Sequence, residues 1–176
     1  MDDVCGPLAK AVLANDTETV KRLLANGAEE GDKFCALNFA IDQGFVDLSR
    51  VNIKIVKLLL AAKTNVNAVL MLPTDYLVDD SLLTKASLLG SATLVQLLLE
   101  AGADAASKGS ALERATSENN LEIVKLLLAK GVEDTAKSEA ISRAINAEHF
   151  EMAELLLSAE AKIKAKDKGY NFSYRC

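Results

Sequence analysis

An all-α solenoid of five stacked helix-turn-helix repeats is the fold that the sequence predicts, and three regularities predict it. A leucine-rich segment recurs as TVKRLLANG at 19–27, IVKLLLAAK at 55–63, LVQLLLEAG at 94–102, LEIVKLLLAKG at 121–131 and, less closely, FEMAELLLSAE at 150–160. These segments are anchored on Val20, Val56, Val95, Val124 and Ala153. Nine residues before four of the anchors stands an alanine, Ala11, Ala86, Ala115 or Ala144, and Ala40 serves the second unit. Three residues before each alanine comes a large aliphatic side chain, Leu8, Leu37, Leu83, Leu112 or Ile141. Residues three apart share one face of a helix, so each unit reads as a short helix with a buried leucine and alanine, a turn, and a second helix apolar over a wide arc. A lone hairpin of this kind cannot bury both flanks, and every copy therefore becomes part of its neighbour's core.

Taken in order, the repeats fall at about 6–30, 34–66, 81–106, 109–135 and 138–163, with a C-terminal tail or cap at 164–176. In the second, Ala40 precedes Val56 by sixteen residues, which implies seven extra residues between its two helices. The stretch 63–80, KTNVNAVLMLPTDYLVDD, is an unusually long connection for a compact domain. The last three anchors, Val95, Val124 and Ala153, follow one another at only 29 residues, which leaves GADAASKGSAL and GVEDTAKSEAI as short joints.

The units resemble ankyrin repeats. SALERATSENNLEIVKLLLAKG, residues 110–131, follows the second half of that family's motif residue for residue from Asn120 to Lys125, and the first unit keeps Pro7, Leu8, Ala11 and the closing Gly27-Ala28. The resemblance covers residues 6–162 and departs from the motif in three ways. The motif's histidine is replaced by Ala9, Asn38, Thr84, Glu113 and Ser142, and its threonine survives only as Ser81 and Ser110. The hydrogen-bonded helix start must therefore be rebuilt differently. Most joints are too short for the family's β-hairpin finger. The tail from Glu160, EAKIKAKDKGYNF, reads as the start of a sixth finger with no helices after it.

Composition removes several function classes. Residues 1–158 carry 15 Lys and Arg against 23 Asp and Glu, so the body is acidic and no nucleic-acid partner is expected. Apolar runs are too short for a membrane span, and the acidic N-terminus does not read as a signal peptide. His149 is the only histidine and sits in the turn before a leucine-rich helix, which fits a structural role better than a catalytic one. No phosphate-loop motif is present, and no cofactor or metal is expected. Cys5, Cys35 and Cys176 are widely spaced and odd in number, so they are expected to be reduced thiols.

What the resemblance implies is a non-catalytic module that binds a partner protein through its concave face and the 63–80 loop. Positions one before, two after and three after each alanine would line that face: Lys10, Leu13 and Ala14; Phe39, Asp42 and Gln43; Lys85, Leu88 and Leu89; Arg114, Ser117 and Glu118; Arg143, Asn146 and Ala147. Four of the five leading residues are basic, so they read either as a cationic stripe for an acidic segment or as long side chains lying along the seams between repeats. In the loop, Leu70, Met71, Leu72 and Tyr76 would form an adhesive patch, or would fold back on the array. The basic, aromatic tail, with Tyr170, Phe172 and Tyr174, reads either as a cap on the last repeat or as a segment that binds an acidic partner or a membrane surface. The expected state is a monomer in the cytoplasm or nucleus. The alternative is a secreted pathogen effector that binds or inhibits a host protein, its signal already removed, and a small enzyme on the repeat scaffold is the reading from another class.

Overall fold

The computed structural model describes residues 6–68 and 81–167, with side chains as far as Ala159. Among the described residues ten α-helices form five antiparallel pairs: α1 (Pro7–Leu13) with α2 (Thr17–Ala25), α3 (Glu30–Val46) with α4 (Ile53–Ala61), α5 (Leu82–Leu88) with α6 (Ala92–Glu100), α7 (Ala105–Ser117) with α8 (Leu121–Ala129), and α9 (Asp134–Asn146) with α10 (Phe150–Asp167). The odd-numbered helices make an inner row in which each packs on the next. Behind them α2 packs on α4 and α6 on α8. No strand occurs among the described residues.

The core runs the length of this double row. Ala11, Ala40, Ala86, Ala115 and Ala144 are all buried, as are Leu8, Leu37, Leu83, Leu112 and Ile141. Val20, Val56, Val95 and Val124 are fully enclosed on the outer helices, and Ala153 is buried in the same place. Alanine at the crossing lets neighbouring inner helices approach closely, while each enclosed leucine contributes roughly 1.5–3 kcal/mol relative to exposure.

The first, third and fourth repeats turn twice through the left-handed backbone region, and the second and fifth once each. The turn inside a pair does so at Asn15, Gly90, Asn119 and Glu148, and the turn closing a repeat does so at Gly27, Lys63, Gly102 and Gly131. Glycine suits such a position because it has no Cβ to crowd the backbone. The second helix then starts on a polar cap: Asp16 accepts from the Thr19 N–H at 3.0 Å, Asn52 from Lys54 and Ile55, Ser91 from Leu94 and Asn120 from Ile123. These side chains satisfy donors that a helix N-terminus leaves open.

The lost threonine and histidine are replaced locally. Ser81 caps α5 by accepting from the Thr84 N–H, and Asp104 caps α7 by accepting from Ser107 at 2.8 Å. For α1 the acceptor comes from the next repeat, where Asp32 Oδ2 on α3 takes the Leu8 N–H.

Four expectations need correction. Ala105–Ser107 and Asp134–Lys137, expected in the joints, are helical, so α7 and α9 reach 13 residues. With too few residues for a finger, Asp104 and Glu133 start the helix early instead. In the second repeat most of the extra residues do not form a separate loop: α3 continues to Val46, and a short 3-10 turn, Leu48–Arg50, follows. Residues 160–167 do not begin a sixth finger; they extend α10. Glu160 stands where Gly27, Gly102 and Gly131 stop their helices, and Glu, Ala and Lys all favour continuing one. Finally, Cys35 is disulfide-bonded, not reduced. Wide spacing and an odd count carry no pairing signal in sequence, and the other two cysteines, Cys5 and Cys176, lie outside the described residues.

Candidate functional site

The inner helices carry the candidate surface. Their buried alanines and leucines fix one face, which leaves the intervening positions to solvent or to the seams. Lys10, Leu13, Arg114, Ser117, Glu118 and Asn146 are exposed, while Phe39, Asp42, Gln43, Leu88 and Leu89 are half-buried. Leu70, Met71, Leu72 and Tyr76 lie outside the described residues.

The basic column divides in two. Lys85 Nζ reaches back to the preceding repeat, 2.7 Å from Asp42 Oδ1 and 2.8 Å from Asn38 Oδ1. Arg143 likewise pairs with Glu113 of the repeat before it. Both side chains therefore spend charge on a seam. Lys10 and Arg114 are exposed, and Arg143 stays exposed beside its pairing, so the positive potential available to a partner comes from the first, fourth and fifth repeats.

An apolar patch that the sequence reading missed lies on the second repeat. Phe45 and Val46 occupy a last turn of α3 that no other inner helix possesses, Leu48 sits in the 3-10 turn, and all three are exposed. Leu13, at the end of the neighbouring α1, is exposed as well. The extended turn is seated tightly, since a Cβ built on buried Gly44 would lie 2.8 Å from a Leu89 methyl and 2.9 Å from a Val51 methyl. Seven inserted residues were the available signal, but only the backbone shows that they lengthen a helix and turn apolar side chains outward. Exposed apolar groups clustered this way mark sites of protein contact more often than chance.

The carboxylates whose titration is shifted all serve as caps or bridges. The Asp104 carboxyl is held below its usual range by the Ser107 side chain and backbone N–H, and Asp16 is held down in the same way by Thr19. Hydrogen bonding to Lys33, then to the Asn65 N–H, lowers Glu30, and the Ser49 N–H and hydroxyl lower Asp47. Each is a capping or bridging carboxylate kept ionised, opposite to the tuning of a general acid. His149 occupies the cap position before α10, and its Nδ1 lies 3.3 Å from the Thr116 carbonyl oxygen of the repeat before, so the ring links two repeats. Among the described residues no cluster of three His, Cys, Asp or Glu side chains is placed to hold a metal ion. Nor is any described helix long and apolar enough to cross a membrane.

Comparison with known families gives one match. Residues 49–138 and 82–167 match the family model described as ankyrin repeats (3 copies), so the matched span runs from the 3-10 turn of the second repeat to the end of α10. No curated protein matches the chain.

Proposed function

Because the chain belongs to the ankyrin repeat family, whose repeats generally mediate protein-protein interaction, we propose that it is a non-catalytic module that grips one partner protein through its concave inner-helix face and the 63–80 loop. The observation that carries this reading is the contrast between a continuous buried core and exposed positions of mixed chemistry fixed to it. Lys10 and Arg114 offer positive charge, while Leu13, Phe45, Val46 and Leu48 offer apolar area. A preorganised surface of this kind loses little conformational freedom on binding, which favours affinity. The charges steer an acidic partner segment, and the apolar group supplies contact area.

The test is affinity capture with the wild-type chain and two variants, Lys10→Glu with Arg114→Glu, and Phe45→Ser with Leu48→Ser, followed by titration calorimetry against the captured protein. The reading expects at least a tenfold loss of affinity from one pair. Equal affinity for all three chains would remove the inner face from consideration. A further arm replaces 69–78 by Gly and Ser and reads the loop's share.

The disulfide at Cys35 supports a second reading, in which the chain is exported and binds a protein of another cell. Disulfides persist in oxidising compartments and are rare where glutathione keeps thiols reduced. Differential alkylation of protein taken from its native source tests this: Cys35 labelled without prior reduction rules the export reading out.

A further inference from the structure

The α1 helix holds 7 residues, too few to persist on its own, so its place depends on what it packs against. Its start is pressed onto α3. A Cβ built on Gly6, the N-cap residue, would lie 2.6 Å from both Cγ and Oδ1 of Asp32, so only glycine lets the chain enter α1 at this point. The Leu8 N–H donates to Oδ2 of the same carboxylate at 3.3 Å, which holds the approach in place.

Cys35 lies one turn beyond Asp32 on α3, is 5% exposed and is disulfide-bonded. Counted back from Leu8 and Leu37, Gly6 and Cys35 hold the same position in the first two repeats, so the inner row sets them side by side. The structure holds a single chain, whose other cysteines are Cys5 and Cys176. Cys5 is joined directly to Gly6. One Cα–Cα step of about 3.8 Å covers the difference between inner helices about 8–10 Å apart and the roughly 4.4–6.8 Å that separates the Cα atoms of a disulfide. From the end of α10, residues 168–176 would have to run almost straight across three inter-repeat spacings, roughly 24–30 Å, to bring Cys176 to the same covered position.

We propose that Cys5 is the partner of Cys35 and that their bond is a redox-operated clasp between the first two inner helices. In the closing step each thiol loses a proton, the two sulfurs join, and two electrons pass to a disulfide oxidant of the glutathione class, which leaves as two thiols; a dithiol reductant reverses the exchange. Closed, the clasp encloses the whole α1–α2 hairpin in one covalent loop and holds Lys10 and Leu13 on α1 beside Phe39 and Asp42 on α3. Open, the seam between α1 and α3 keeps the Asp32 hydrogen bond and its apolar contacts but loses its covalent tie, so both helices open locally more often. The pairing stands on geometry alone, and its effect on recognition rests on the inner-face reading of function.

Peptide mapping of the full chain tests the pairing. The chain is equilibrated with oxidised and reduced glutathione, blocked with N-ethylmaleimide and digested with trypsin without reduction. Mass spectrometry is expected to find peptide 1–10 linked to peptide 34–50, the two separating on reduction. Cys35 linked to Cys176, or Cys35 blocked by the maleimide even in fully oxidising buffer, overturns the proposal. The clasp is read from melting and limited proteolysis. Reduction should lower the melting temperature of the wild type and of Cys176→Ser alike, whereas Cys5→Ser should melt where the reduced wild type does and be indifferent to reductant. Brief tryptic cleavage after Lys10 and Lys33, which lie on the two clasped helices, should quicken about fivefold or more on reduction of the wild type, relative to cleavage after Lys125. A reductant-dependent melting shift that survives in Cys5→Ser, or cleavage after both lysines that ignores reduction, overturns it equally. None of these readouts uses a partner, so they stand or fail apart from the inner-face reading.

Discussion

Asp104 shows how a single carboxylate serves this fold. It accepts the Ser107 N–H at 2.8 Å as the cap of α7, and its own N–H donates to Asn67 Oδ1, whose amide nitrogen in turn donates to the Gly102 carbonyl. One residue therefore ties the end of the second repeat to the start of the fourth repeat's first helix. Its carboxyl, like those of Asp16, Glu30 and Asp47, is held below the usual range, so the folded state favours the ionised form more than the unfolded chain does. The stabilisation is complete above the ordinary carboxylate range, roughly pH 4, and is lost as pH falls through the lower folded values. Urea midpoints are expected to be flat from about pH 7 to about pH 5 and to decline below about pH 4. Asp104→Asn keeps a competent cap at neutral pH and should soften that decline, whereas Asp104→Ala should cost about 1 kcal/mol at pH 7.

At the scale of the element, the question is what stops a helix. Gly27, Gly102 and Gly131 turn three of the outer helices off, and Lys63 holds the same left-handed backbone at φ 58° with a side chain attached. A non-glycine residue there is strained by roughly 1 kcal/mol. Lys63→Gly is thus expected to raise unfolding stability by up to about 1 kcal/mol, and Gly102→Ala to lower it by about as much or more. Chemical denaturation of the two variants beside the wild type measures both signs. The same residues show what the sequence could and could not convey. Helix pairing and the alanine and leucine columns were legible because each is written in one kind of residue at one spacing. The run-on of α10 was not, because it depends on the absence of a stop at Glu160, and the surrounding letters imitate a finger. The lengthened α3 was legible only as extra residues, since Gln43–Val46 carries no signal that distinguishes helix from loop. Seam pairing of Lys85 and Arg143 was legible only as one of two readings.

For the whole molecule, stability is a sum over repeats and seams, so a constraint at one end is felt most by its neighbours. Cys35 lies buried in the second repeat, on the helix whose Asp32 caps α1, and it is disulfide-bonded. Reduction is expected to lower unfolding stability by about 2–5 kcal/mol, with the second repeat loosening before the others. Hydrogen exchange followed by mass spectrometry, with and without reductant, reads that order directly. Equal loss of protection in all five repeats would instead indicate one indivisible cooperative unit.

The bridges of Lys85 to Asp42 and of Arg143 to Glu113 span the second-to-third and fourth-to-fifth junctions. Electrolyte weakens such partly exposed attractions while leaving dispersion contacts almost untouched. Brine would therefore slacken this spine at alternate vertebrae, and a partner that spans those junctions would find its grip governed by the ionic medium even where it touches no charge.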